Sequence, residues 1–135
     1  RVRSSAASDV YKRQEKMLFD KTYTGDNFMD LLETYQPNKG IAGNCLSTEK
    51  RTNGAAAIFL PGVARRLAEL MEADLYLVFT SVHEVMVHSA DMVYPEDLKD
   101  VLMDTIKKAT PPEDYLTSSI YRYSRRTGEF SVELE

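Results

Sequence analysis

The sequence has no tryptophan and one cysteine, Cys45. A single thiol excludes an internal disulfide framework and a cysteine-based zinc site, and it fits a reducing, cytoplasmic compartment. Apolar residues never run to the length of about eighteen that a membrane-spanning helix needs, so no membrane partner is expected. An excess of positive charge is missing as well. The 17 Lys and Arg stand against 21 Asp and Glu, a net charge of −4, which makes nucleic acid an unlikely partner. What remains, 43% apolar and 28% charged over 135 residues, is the composition of one ordinary globular domain with a single core.

The charge is unevenly spread. Residues 1–14 hold Arg1, Arg3, Lys12 and Arg13 against Asp9 alone, a +3 leader that leaves −7 for the rest of a chain of net −4. The leader lacks the apolar segment of a secretory signal. Its run from Arg3 to Gln14 resembles the translated sequencing-adapter remnant that recurs in metagenomic assemblies. Residues 1–14 are therefore set apart as non-native or disordered. Residues 15–135 are read as one domain, the C-terminal part of a longer protein.

Periodicity changes most cleanly between Asn53 and His88. Asn53-Gly54 is a hairpin signal, because both residues tolerate positive φ. It joins an expected strand at 44–49 to a small, apolar strand at 55–60. Pro61 suits the first turn of a helix, where its missing N–H costs nothing, and Val63, Leu67, Leu70 and Met71 fall on one stripe. Strands follow at 74–79 and 84–88. A helix from Pro95 carries Glu96 and Asp97 in its first turn and Lys107 and Lys108 in its last, each complementing the macrodipole. Leu98, Val101, Leu102 and Ile106 form its buried face, and Pro111-Pro112 ends it. The chain closes as a hairpin over 120–134 that turns at Arg126-Thr127-Gly128. Upstream, Asp26 caps an expected short helix over 27–35. The fold class is α+β, a mainly antiparallel sheet of three hairpins with two or three helices packed largely on one face.

Parity fixes the two faces of the second hairpin. Leu75, Leu77 and Phe79 share a side, and pairing them with Val85 and Val87 requires an odd-numbered connection. These five form the expected core face. The opposite face presents Tyr76, Val78, Thr80, Glu84, Met86 and His88, too apolar for plain solvent and too polar for a core. Tyr76, Val78, Met86 and His88 are therefore expected to be covered, by upstream sequence, a protein partner or a second copy of the chain.

Several short runs, in order, carry a resemblance. They are Asn53-Gly54-Ala55-Ala56-Ala57-Ile58, Pro61-Gly62-Val63, Asp74-Leu75-Tyr76, Ser81-Val82-His83-Glu84-Val85, Pro112-Glu113-Asp114, Ser119-Ile120-Tyr121-Arg122-Tyr123 and Arg126-Thr127-Gly128-Glu129. Together they resemble the C-terminal half of the bacterial domain-of-unknown-function family 5688, and more distantly family 1444. The resemblance implies a bacterial, cytoplasmic protein longer than this chain. It implies no established activity, cofactor or catalytic residue.

Three motifs invite chemistry. His83-Glu84 with His88 shares only residue types with a zincin site, which needs its two histidines four apart on a helix. Five apart on a strand, they point to opposite faces, so no metal or other cofactor is expected. Ser81, His83 and Glu84 at one turn could serve as nucleophile, base and acid, but no nucleophile elbow surrounds Ser81, and a turn hydroxyl usually bonds local backbone. Arg122, Arg125 and Arg126, interleaved with Tyr121 and Tyr123, are read as partners of Glu129, Glu133 and Glu135 on the adjoining strand. Two function classes follow. The favoured one is a non-catalytic binding or regulatory module; the alternative is a small hydrolase-like enzyme using the Ser81–His83–Glu84 turn.

Overall fold

The computed structural model describes residues 15–19, 37, 39–41, 43–48 and 54–135. The leader, the helix expected over 27–35 and Asn53 lie outside the described residues. Six strands form one sheet: β1 (Glu15–Phe19), β2 (Asn44–Thr48), β3 (Leu75–Ser81), β4 (Glu84–Ser89), β5 (Ile120–Tyr123) and β6 (Phe130–Leu134). Their order across the sheet is β1-β2-β4-β3-β5-β6. β1 runs parallel to β2, and every other neighbouring pair is antiparallel. The class is the expected α+β with a mainly antiparallel sheet.

Among the described residues two α-helices, α1 (Val63–Met71) and α2 (Pro95–Ala109), divide between the two faces rather than sharing one. On the first face, Val63, Leu67 and Met71 of α1 pack with Leu75, Leu77, Phe79, Val85 and Val87. These are the five strand residues that parity assigns to the core. On the second face, Leu98, Val101 and Leu102 of α2 pack with Tyr76, Val78, Met86 and Ile120. α2 keeps the expected ends, with Pro95 at its start, Glu96 and Asp97 in the first turn and Lys107 and Lys108 in the last.

The odd connection of the β3–β4 hairpin arises in a way sequence spacing does not reveal. Val82 and His83 alone make the turn, an even count. The pairing then shifts between Val78↔Met86 and Ser81↔Glu84. Phe79 and Thr80 thus oppose Val85 alone, a bulge whose extra residue restores the parity.

The segment expected as a strand at 55–60 is instead a 3₁₀-helix, Gly54–Phe59. Its run of three alanines has little β preference. The tight turns, with Leu60 N–H bonded to Ala57 O at 3.1 Å, bury Ala55, Ala57 and Ile58 and leave Phe59 outside. Small side chains let this piece sit close to the sheet, so the first of the three expected hairpins is absent from the described residues. Gly62 enters α1 with φ 81°, a conformation glycine adopts without strain.

Candidate functional site

The Ser81–His83–Glu84 turn is ordered by bonds that lead away from one another. The Ser81 hydroxyl accepts from the His83 backbone N–H at 3.0 Å, the local turn bond that serine commonly makes. His83 Nε2 lies 3.1 Å from Asp114 Oδ1, and each side chain is partly exposed. The Val82 N–H donates to Asp114 O at 2.8 Å, and Ser47 Oγ donates to His83 O at 2.6 Å. Glu84 faces back along the strands, accepting from Thr80 Oγ1 and Cys45 Sγ, both at 3.1 Å. Asp114 is an orienting acid for His83 that sequence spacing does not reveal. Even so, Ser81 and Glu84 are engaged elsewhere, and the turn is a pinned corner of the sheet.

The second candidate set lies inside the molecule. Val78, Met86 and His88 are fully buried and Tyr76 nearly so. Tyr76, Val78 and Met86 are covered by α2 of this same chain, because the helix that follows β4 crosses to that face, and His88 lies against Gly43 and the Gly40 backbone of the segment before β2. The side chains read as too polar for a core find local company. Tyr76 donates its hydroxyl to Glu133 Oε1 at 3.2 Å. Burial pushes its pKa up, with Glu133 adding to the shift. His88 lies in the core, where burial holds its pKa down to about 4, against the opposing pull of a hydrogen bond to the Gly40 backbone. Among the described residues no group of three His, Cys, Asp or Glu side chains could hold a metal ion.

The arginines of the last hairpin separate. Arg122 makes the expected cross-strand contact with Glu133, at 3.3 Å. It makes a closer pair with Asp74, at 2.7 Å through Nη2 and 3.0 Å through Nε. Asp74 also accepts the Arg125 backbone N–H at 2.9 Å. That amide and the Arg122 guanidinium hold the Asp74 carboxyl below its usual range. The Arg125 and Arg126 side chains stand exposed at the turn.

The most site-like feature is a cleft on the α1 face, and it is one that sequence reading passes over. Its floor is Leu77, Phe79 and Tyr121, and its walls are Phe59, Leu116, Phe130 and Val132, around about 460 Å³. Phe59 is 60% exposed, Leu116 49%, Phe130 40% and Val132 50%. The rings make a connected set. Phe59 meets Phe79 at 6.3 Å and Phe130 at 5.2 Å between centroids. Phe79 stands edge-on to Tyr121 at 5.6 Å. On this face the 3₁₀-helix lies against β2 and β4 and α1 against β3, and the cleft is left where β5 and β6 continue beyond Phe59. Two signals point to it in the sequence. Phe59 ends a run of three alanines and an isoleucine, and Phe130 and Val132 alternate on β6 with Ser131 and Glu133.

No helix of the described residues is long and apolar enough to cross a membrane. The family model of DUF5688, a family of unknown function, matches residues 12–125. No curated protein matches the chain, and no solved structure does.

Proposed function

The chain belongs to DUF5688, a family of unknown function, and we propose that it is a non-catalytic binding module that takes a small apolar ligand into the cleft between Phe59 and the β5–β6 hairpin. The cleft is the observation that carries this reading. Its volume of about 460 Å³ falls in the range of roughly 300–1,000 Å³ usual for small-ligand sites. Full burial of a large apolar side chain is worth about 1.5–3 kcal/mol. Four of them left half in water around one concavity are contact energy that a ligand recovers. Edge-on and tilted aromatic rings offer both faces and edges to a flat or chain-like guest.

Hydrolysis at Ser81, His83 and Glu84 is the weaker reading, because the Ser81 oxygen is used by the His83 amide and Glu84 by Thr80 and Cys45. The setting we infer is the bacterial cytoplasm, where the one free thiol, Cys45, stays reduced.

The test is a titration with N-phenyl-1-naphthylamine, a neutral aromatic probe whose fluorescence rises in apolar surroundings. Saturable binding at one site, abolished by Val132→Glu with the thermal midpoint unchanged, supports the module. Val132 is on the sheet's last strand and half exposed, so a carboxylate there leaves the fold intact. No saturable binding overturns the reading. So does a concentration-dependent dimer that Val132→Glu dissolves, since the cleft would then belong to a second copy.

A further inference from the structure

We infer that the apolar cleft opens at its Tyr123 end into an anion-binding mouth, so that the ligand is an amphipathic acid: an aromatic or alkyl body carrying one carboxylate, sulfonate or phosphate group. This rests on the binding reading above and names the ligand's chemistry.

A second concavity, about 420 Å³, lies beside the first, with Arg65, Arg125 and Arg126 around it and Tyr123 and Gly128 among its lining residues. Tyr123 links the two, its ring centroid 4.9 Å from that of Phe130 in the apolar wall. One carboxylate faces the three guanidinium groups, Glu69. It is already shared between Arg65 at 3.4 Å and Arg66 at 3.3 Å. On their far side Arg125 and Arg126 approach Asp74 and Asp91. Asp74 is shared between the Arg122 guanidinium, the Arg125 amide and the Arg125 charge, and Asp91 is the second carboxylate on that side. Five guanidinium groups (Arg65, Arg66, Arg122, Arg125 and Arg126) thus stand among four carboxylates (Glu69, Asp74, Asp91 and Glu133), a local excess of one in a chain whose net charge of −4 repels anions at long range.

The mouth is also held still. Ser124 N–H donates to Glu129 O at 2.9 Å and Gly128 N–H to Ser124 O at 2.8 Å. The Thr127 and Glu129 amides bond to the Ser124 and Thr127 hydroxyls at 3.2 and 3.3 Å. Gly128 closes the turn with φ 74°, where a side chain would be strained. A turn bonded to itself in this way presents its two arginines from fixed backbone positions, so less freedom is lost when an anion binds. Guanidinium groups bind carboxylate and phosphate through charge-assisted, paired hydrogen bonds. Joined end to end, an aromatic cleft and an arginine mouth select a molecule that has both parts.

The experiment compares two probes with the same ring system. N-phenyl-1-naphthylamine is neutral, and 8-anilinonaphthalene-1-sulfonate adds one sulfonate. The wild-type chain should bind the sulfonate about tenfold more tightly at low salt, and that advantage should shrink as salt rises. In the Arg125→Gln/Arg126→Gln variant the advantage should fall to within about twofold, with affinity for the neutral probe unchanged. Equal affinities in the wild type overturn the mouth while leaving the binding module standing. A variant that loses both probes equally also overturns it, since the arginines would then shape the cleft and not read the anion. If neither probe binds, the module and its mouth fall together.

Discussion

The His88 ring fills the space that a side chain at residue 43 would need. A Cβ on Gly43 would stand 2.4 Å from His88 Cε1 and 2.7 Å from Nδ1. The cause is register. Asn44 pairs with Val87 across the antiparallel β2–β4 ladder, so the preceding residue falls opposite His88, and the buried ring lies against it. Gly43 also has φ +65°, a conformation that costs a β-carbon about 1 kcal/mol. Gly43→Ala should therefore destabilise the fold by about 2–4 kcal/mol, backbone strain and overpacking together. Urea unfolding of the variant measures it. A loss below about 1 kcal/mol would mean that the segment before β2 shifts freely.

The same burial makes His88 a source of acid sensitivity. Its pKa is about 4 in the folded protein, against 6.5 as the ordinary value. Below pH 6.5 the unfolded chain takes up the proton first, so stability falls as pH drops from about 6.5 to about 4. The loss is about 3 kcal/mol when complete. Above pH 7 the group contributes no slope. His88→Gln should flatten the profile between pH 6.5 and 4.5 relative to the wild type, whatever it does to the absolute midpoint. Parallel profiles for the two proteins would show that His88 is protonated within the fold.

His88 also shows where reading the sequence stops. Alternation sorted Leu75, Leu77, Phe79, Val85 and Val87 from Tyr76, Val78, Met86 and His88, because side-chain direction in a strand is a local property. The ends of α2 were legible for the same reason, through Pro95, the first-turn acids and the last-turn lysines. What covers a face is not local. The chain after β4 could cross to either side of the sheet, and only the packing of Leu98, Val101 and Leu102 against Val78 and Met86 decides it. The cleft was hidden in a similar way. Phe59 and Phe130 lie far apart in sequence, and each looks unremarkable alone. The alanine run before Phe59 could be read as strand or tight helix, and its place beside Val82, through the Ala55 N–H bond to Val82 O at 3.1 Å, is a tertiary contact.

Val78 tests which face α2 covers. It is fully buried between the sheet and α2. Val78→Glu puts a carboxylate there, with no cationic partner provided. The chain should lose more than about 3 kcal/mol, enough to unfold a marginal domain. Val78→Ala, which only opens a cavity, should cost about 1–3 kcal/mol and leave a cooperative melt. If both variants melt within a degree or two of the wild type, α2 does not seal this face in solution.

The Asp74–Arg122 pair joins the start of β3 to β5 and is a test of what a half-exposed ion network contributes. Asp74 accepts through both oxygens, Oδ2 from Arg122 and Oδ1 from the Arg125 amide. Arg122 in turn reaches Glu133 and lies 5.8 Å from the centre of the Tyr76 ring. Such pairs in contact with water are worth about 1 kcal/mol, less in high salt. Asp74→Ala should therefore cost about 1–2 kcal/mol, more than the ion pair alone, because the Arg125 amide loses its acceptor too. Asp74→Asn keeps that acceptor, removes the charge, and should cost about half as much. The lowered carboxyl pKa sets the pH window. The contribution is present above the ordinary value of 3.8 and is lost as pH falls below it, separate from the His88 slope at higher pH. A double-mutant cycle with Arg122→Ala, run at low and at high salt, reads the coupling directly. Coupling that is absent at low salt would reduce the pair to a surface contact and leave the Arg125 amide as the reason for Asp74's place in the fold.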